Sequence, residues 1–188
     1  MKLHRVARAL MGALLILGVP VLALVTTASA VTSSNQGLPH AYGRLGIWAG
    51  RWTFTGQLFE TRYSQAQKES GTNDCFWMPS RGYMVCNIMG NRSNRTTNDL
   101  SIFSCSPTTG AYSHIITVNA SDPLWESVTV HGNTWLAQAQ ISDKGKVILL
   151  RDLYTFLSPN RVTERVTVSG DQGRHWRTRW QGTDVKVH

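Results

Sequence analysis

The stretch Val147–Gln181, VILLRDLYTFLSPNRVTERVTVSGDQGRHWRTRWQ, contains three strand-like runs separated by two turns. The runs are Val147–Phe156, Arg161–Val168 and His175–Gln181, each rich in the β-branched or aromatic residues that favour strands. The links Ser158–Asn160 and Ser169–Gly173 consist mostly of Ser, Pro, Asn, Asp and Gly. Such short links favour hairpins over crossovers, so this stretch predicts an antiparallel meander.

The same pattern extends back to Trp52. Strand-like runs recur between short polar links, and only residues 39–49 suggest a helical turn. The earlier runs are Trp52–Thr55, Lys68–Met78, Tyr83–Met89, Leu100–Cys105, Tyr112–Val118, Trp125–His131 and Thr134–Ile141. Closing a sheet of about ten such strands removes its exposed edges. We therefore predict an all-β fold, a single antiparallel up-and-down β-barrel, with a two-sheet sandwich as the alternative.

The first thirty residues have the pattern of a secretory signal peptide. Lys2, Arg5 and Arg8 precede the apolar run Ala9–Val25, and Ala28-Ser29-Ala30 fits a cleavage site. A retained anchor is the alternative, which Gly and Pro within the run disfavour. We predict a signal peptide at 1–30, a partly flexible leader at 31–44 and the barrel domain at 45–188. The protein would be exported, to the periplasm or the extracellular space, with no stable membrane span after cleavage.

The charge of the chain argues against nucleic acid as a partner. The formal net charge is +8 at pH 7, but the Lys and Arg residues are spread out and form no dense block. A solvated basic surface is the simpler interpretation, and we predict no nucleic-acid binding.

The three cysteines allow one internal disulfide and leave one thiol over. A turn around Ser80-Arg81 would place Cys75 opposite Cys86, and a link near Arg95-Thr96 would place Cys86 opposite Cys105. We predict the Cys75–Cys86 disulfide, because its loop is short, and leave Cys86–Cys105 open. The cysteines and histidines have no zinc-like spacing, so we predict no metal site.

Two Gly-x-Trp steps, Gly46-Ile47-Trp48 and Gly50-Arg51-Trp52, open the predicted barrel. With the meander, they resemble the calycin group, which includes lipocalins and fatty-acid-binding proteins. Four further landmarks occur in order: CFWMPSRGYMVC, IFSCSPTTGAYSH, HGNTW and SGDQGRHW. Over about Leu45–Gln181 the chain resembles a bacterial lipocalin-like domain family of unknown function. The resemblance implies a barrel with an interior cavity and, as in many calycins, a last-strand arginine stacked on the early tryptophan, here Arg177 or Arg179.

Glu164 shares one side of its predicted strand with Val162, Val166 and Val168. If the valines face the interior, Glu164 does too, where an unpaired carboxylate is costly. Arg151 or Arg177 could pair with it in an ion pair at the barrel mouth, and a ligand contact is the second possibility.

These observations predict an exported barrel that binds a small, largely apolar or aromatic molecule. The predicted ligand-binding residues are Trp48, Trp52, Glu164, Arg177 and Trp180. The alternatives are a haem-binding barrel of nitrobindin type using His114 or His175, a barrel enzyme using Glu164, and an envelope structural or interaction module. A surface position is the default expectation for these histidines. The chain has no Gly-x-Ser-x-Gly, phosphate-loop or His-Glu-x-x-His motif, so we predict no catalytic residue and, haem aside, no cofactor.

The segment Ser169–Trp176 has the spacing Ser-x-Asp-x-Gly-x-x-Trp, which resembles the Asp-box turn of sialidases. The motif occurs once, in a chain too short for a propeller. We interpret it as the turn that closes the last hairpin, with Asp171 bonding turn amides and Gly173 at positive φ.

Overall fold

The computed structural model describes residues 40–60, 65–78, 82–93, 95–117, 122–143 and 145–187. A short helix α1, His40–Leu45, and a 3-10 turn, Gly46–Trp48, precede the sheet. The strands are β1 Gly50–Leu58, β2 Gln67–Trp77, β3 Tyr83–Arg92, β4 Arg95–Cys105, β5 Tyr112–Thr117, β6 Leu124–His131, β7 Thr134–Asp143, β8 Lys146–Ser158, β9 Arg161–Ser169 and β10 Arg177–Val187. The predicted signal peptide and most of the leader lie outside the described residues.

The ten strands form one closed antiparallel barrel in which each strand pairs with its neighbours in the chain, and β1 pairs with β10. The up-and-down barrel is therefore confirmed over the sandwich. β3 and β4 are longer than predicted, because polar Thr97 and Asp99 point into the barrel and are buried. A polar run in the sequence thus belongs to strands here, since part of the barrel interior is polar.

The strand register confirms the predicted disulfide. Cys75 lies opposite Cys86, and their sulfur atoms are 2.05 Å apart. The β3–β4 hairpin turns between Arg92 and Arg95, before the predicted link, so Cys86 faces Ser101 rather than Cys105. Cys105 is a buried free thiol. The disulfide is consistent with an oxidising compartment.

The 3-10 turn places Trp48 inside one end of the barrel. Its ring stacks on Phe103, 4.9 Å between centroids, and meets Trp135, Tyr154 and Phe156 edge-on. Trp52 donates its indole N–H to the Trp48 carbonyl at 2.7 Å. Edge-to-face aromatic contacts of this kind stabilise a core beyond the area that they bury. This aromatic cluster therefore closes the barrel end where β1 begins.

The cation stacked on the early tryptophan is a lysine. Lys186 Nζ, from the strand position opposite Trp52, lies 4.7 Å from the Trp52 ring centroid. The expectation of Arg177 or Arg179 in this role is wrong, because those residues lie near the other end of β10. The contact keeps the chemistry that the resemblance implied, a cation over an aromatic face.

The turn between β9 and β10 is held by its own side chains. Gly173 N donates to Ser169 Oγ at 2.9 Å, and His175 N donates to Asp171 Oδ1 at 2.9 Å. Gly173 has a φ of 87°, and the Trp176 indole donates to the Gly173 carbonyl at 3.0 Å. These contacts agree with a hairpin-closing turn, which lies outside the barrel interior.

None of the helices within the described ranges is long and apolar enough to cross a membrane.

Candidate functional site

A cavity of about 890 Å³ occupies the barrel interior. Its floor is the aromatic cluster around Trp48, Trp52, Phe103 and Tyr154, and its middle is a polar belt. The belt residues are Glu69, Asn73, Asp99, Ser101, Glu126, Asp152, Glu164 and Asp184. Above the belt the lining includes Leu124, Trp125, Ile141 and Arg179. The volume is in the range of sites that hold small organic molecules, roughly 300–1,000 Å³.

Three carboxyl groups from β8, β9 and β10 meet in the belt. Asp152 and Glu164 share a hydrogen bond, and the Tyr154 hydroxyl donates to Asp152 Oδ2 at 2.5 Å. Burial, aided by the charge of Glu126, raises the pKa of Asp152 to about 8. Burial also raises the pKa of Asp184 to about 7, and burial with the charges of Asp152 and Asp184 raises that of Glu164 well above its usual value. This part of the cavity is therefore largely protonated and uncharged at neutral pH.

A fourth carboxyl group, Glu69, is fully bonded. It accepts from Arg92 Nε at 2.6 Å and from the Trp180 indole N–H at 2.9 Å. These contacts fix the Trp180 ring against the cavity wall. Charge-assisted hydrogen bonds of this kind are stronger than neutral ones. Glu69 is therefore part of the wall rather than a free ligand group.

Four of the five predicted ligand-binding residues line this one cavity: Trp48, Trp52, Glu164 and Trp180. Arg177 lies opposite Val168 at the start of β10, is exposed and does not contribute to the lining. Whether the other four bind a ligand stays a prediction.

A β-bulge on β10 places Trp176 and Trp180 in different environments. Thr178 pairs with Thr167 and Trp180 with Val166, so Arg179 is an extra residue without an opposite partner. The extra residue resets the alternation of side chains. Trp176 is consequently outside the barrel, where Arg151 lies 3.9 Å over its ring, while Trp180 and Arg179 line the cavity.

The cation expected beside Glu164 is not there. Arg151 is exposed and stacked on Trp176, and Arg177 is exposed as well. The groups that face Glu164 are the carboxyls of Asp152 and Asp184. Protonation, rather than an ion pair, is how the barrel accommodates this side chain.

A chain of three polar side chains crosses β4, β5 and β6 beside the cavity. Ser101 Oγ lies 2.6 Å from His114 Nε2, and His114 Nδ1 lies 2.5 Å from Glu126 Oε2. All three residues are buried, and the His114 ring stacks on Phe103 with 4.1 Å between centroids. The default expectation of a surface position is therefore wrong for His114. No sequence pattern predicted this contact, because the three residues lie on different strands and meet only through the strand register.

The haem alternative does not fit these histidines. Iron needs an imidazole nitrogen with a free lone pair, and both ring nitrogens of His114 are hydrogen-bonded. His175 is exposed, outside the cavity, and bonded to Asp171 at 2.6 Å. Within the described ranges, no cluster of three His, Cys, Asp or Glu side chains is arranged to hold a metal ion.

The closed barrel and its cavity define a lipocalin-like fold, which similar solved structures share. One is an S-type phycobiliprotein lyase, CPES, from Guillardia theta, with a TM-score of 0.57 and 9% identity over 78% of this chain and 92% of that one. Another is Rv2717c from M. tuberculosis, with a TM-score of 0.58 and 9% identity over 81% of this chain and 100% of that one. At this identity the likeness concerns the fold alone. No protein-family model and no curated protein sequence matches the chain.

Proposed function

We propose that this protein is an exported barrel that binds a small, largely apolar or aromatic molecule in its interior. The observation that carries the proposal is the cavity of about 890 Å³ with an aromatic floor and, in its polar belt, three carboxyls whose pKa values burial raises: Asp152, Glu164 and Asp184. An interior with that volume argues against a fully packed structural module. Export is supported by the signal-peptide pattern of residues 1–30 and by the Cys75–Cys86 disulfide.

The polar groups of the cavity specify the ligand further. A protonated carboxyl donates a hydrogen bond, so Asp152 and Glu164 favour a neutral ligand with a carbonyl, ether or hydroxyl oxygen. The Trp48 indole N–H and Asp184 Oδ1 are buried atoms without a partner among the described residues. Unsatisfied buried polar atoms are costly, and a ligand that bonds them would recover that free energy.

The pH dependence of binding tests the proposal. N-phenyl-1-naphthylamine is a neutral fluorescent probe that can be titrated against the protein between pH 5 and 9. Binding should be tightest below about pH 7, where Asp184 and Asp152 are protonated, and weaken as these groups ionise, by about tenfold between pH 6 and 9. The sign follows because an apolar ligand would desolvate the newly formed carboxylates.

A matched pair of variants isolates the cause. D152N together with D184N removes two of the three titrations and should flatten the pH dependence of the affinity, with Glu164 as the titrating carboxyl that remains. Glu60→Gln, at an exposed position, should behave like the unaltered protein. Failure of the probe, and of a panel of lipids and aromatic metabolites, to bind saturably at any pH would contradict the proposal.

A barrel enzyme using Glu164 is the less favoured alternative. Asp152 lies within hydrogen-bond reach and supplies the second titrating group that such chemistry needs. An acid–base pair, however, requires one pKa to be raised and the other to stay low. Here both groups are shifted upward, and at neutral pH neither is a ready base.

A further inference from the structure

We infer that Ser101, His114 and Glu126 form a nucleophilic triad that cleaves carboxylic esters bound in the cavity. This goes beyond ligand binding, and the two proposals can fail separately.

The geometry has the connectivity of an acyl-transfer triad. Ser101 Oγ contacts His114 Nε2 at 2.6 Å, and Glu126 contacts the other ring nitrogen, Nδ1, at 2.5 Å. A carboxylate only accepts, so the proton on Nδ1 points to Glu126, and Nε2 is left to accept the Ser101 hydroxyl proton. Such triads are recognised by geometry and roles, on any fold and in any chain order.

The fold holds the base rigidly. His114 lies opposite Phe103 on β4 and opposite Glu126 on β6, so its ring is positioned by both neighbouring strands. Phe103 stacks on the ring with an interplanar angle of 6°. Since His114 is 1% exposed, bulk water cannot replace the hydrogen-bond partners of its imidazole ring. Preorganisation of this kind is what positions a general base for catalysis.

The nucleophile, rather than the base, reaches the cavity. Ser101 and Glu126 belong to the cavity wall, together with Phe103 and Trp48. Trp48, whose buried indole N–H has no partner among the described residues, lines the same cavity. The aromatic floor and protonated carboxyls suit a neutral ester with an apolar or aromatic acyl group.

The reaction needs water and no other reagent. Ser101 Oγ bonds to the acyl carbon as its proton passes to His114 Nε2, and the ester C–O bond breaks as that proton passes to the leaving alcohol. Water then attacks the acyl-Ser101 ester, gives its proton to His114, and releases the acid with Ser101 regenerated. A network that merely satisfies buried polar groups would make none of these bonds.

Covalent labelling of the unaltered protein is the primary test. With a fluorophosphonate probe, the Ser101 oxygen displaces fluoride at phosphorus, and the intact mass rises by one adduct that peptide mapping places on Ser101. Because no substitution is involved, the result does not depend on whether a variant folds. A protein that binds N-phenyl-1-naphthylamine but leaves Ser101 unlabelled at millimolar probe would overturn the triad and leave the ligand-binding proposal standing.

Turnover of p-nitrophenyl butyrate and octanoate provides the second test. Ser101→Ala should lose both the initial burst and the turnover. The control Ser104→Ala should keep them, because Ser104 lies on the other face of β4 and is bonded to Ser113. Glu126→Gln, at the positioning residue, should lower kcat at least about 100-fold with KM little changed. Equal rates in the unaltered protein and Ser101→Ala would refute the assignment.

Discussion

At the scale of single residues, glycines make room for the buried rings of the cavity wall. A Cβ on Gly56 would lie 2.5 Å from the Trp180 ring, and one on Gly182 would lie 2.2 Å from it. Both glycines belong to paired strands, and neither has a positive φ. Glycine is needed at these positions because the Trp180 ring lies so close to the backbone, not because the backbone conformation requires it. Trp180 can reach Glu69 only because these two positions carry no side chain.

Gly182→Ala should therefore destabilise the protein. The added methyl group must displace the Trp180 ring or the Thr55 carbonyl, which would lie 2.7 Å away, and such overpacking typically costs about 1–3 kcal/mol. Urea unfolding followed by tryptophan fluorescence measures the change. Gly170→Ala is the control, since a Cβ there meets nothing within 4 Å. A Gly182→Ala variant as stable as this control would show that the cavity wall can shift to accommodate the added methyl group at little free-energy cost.

The sequence of β9 was enough to predict that the Glu164 side chain points into the barrel, but not which side chains surround it there. Alternation with the valines of β9 gives the inward face, because strand side chains have a period of two. The residues across the barrel depend on register with β8 and β10, which place Tyr154 and Gly182 opposite Glu164. The sequence therefore led to an arginine partner, while the structure supplies carboxyls.

At the scale of elements, the β9–β10 hairpin shows how a turn and a bulge together direct side chains. Ser169, which is 2% exposed, bonds the Gly173 amide and the Asp171 carboxyl, and so holds the turn closed. The bulge at Arg179 then moves β10 onto the opposite alternation. Bulges have no simple sequence pattern, which is why the separation of Trp176 from Trp180 could not be predicted from strand alternation.

Ser169→Ala should cost about 0.5–1.5 kcal/mol of unfolding free energy, because the partly buried amide of Gly173 and the Asp171 carboxyl both lose a partner. Ser158→Ala is the matched control: its hydroxyl bonds Asn160 N in the exposed β8–β9 turn, where water can replace it. Chemical denaturation compares the two. Neither variant should alter probe binding. A loss of binding in Ser169→Ala would show that the conformation of the turn affects the shape of the cavity.

The contact between Ser101, His114 and Glu126 could not be predicted from the sequences of the individual strands. Strand identity and hairpin links followed from composition, and the disulfide register followed from one short turn. Ser101, His114 and Glu126 converge only because the β4–β5 and β5–β6 links set these two registers. Such registers are hard to predict: an error of two residues in the centre of the β3–β4 turn was enough to place Cys86 opposite Cys105 instead of Ser101.

At the scale of the whole molecule, closure of the barrel forces polar side chains to share one interior. β2, β8, β9 and β10 each contribute at least one carboxyl, and no strand can turn its own outward without moving its apolar residues too. The raised pKa values of Asp152, Glu164 and Asp184 are the electrostatic result. The barrel thus carries buried protons that its unfolded chain would release.

This proton difference predicts that the barrel becomes less stable as pH rises from about 4 to 8. In the folded state Asp152 titrates at about 8 and Asp184 at about 7, whereas both titrate near their ordinary value of 3.8 when unfolded. Between these limits the folded state binds more protons, so the free energy of unfolding falls with pH, by about 1.4 kcal/mol per pH unit for each full proton. The contribution is fully present below about pH 4 and is lost by about pH 8.

Urea unfolding at pH 5, 6, 7 and 8 measures this slope. Asp152→Asn keeps an acceptor for the Tyr154 hydroxyl but cannot titrate, so it should flatten the slope, and adding Asp184→Asn should flatten it further. Glu60→Gln, at an exposed site, should leave it as in the unaltered protein. A free energy of unfolding that stays constant or rises from pH 5 to 8 would mean that these carboxyls ionise inside the folded barrel, and the ligand specificity argued from a neutral cavity would then have to favour cations instead.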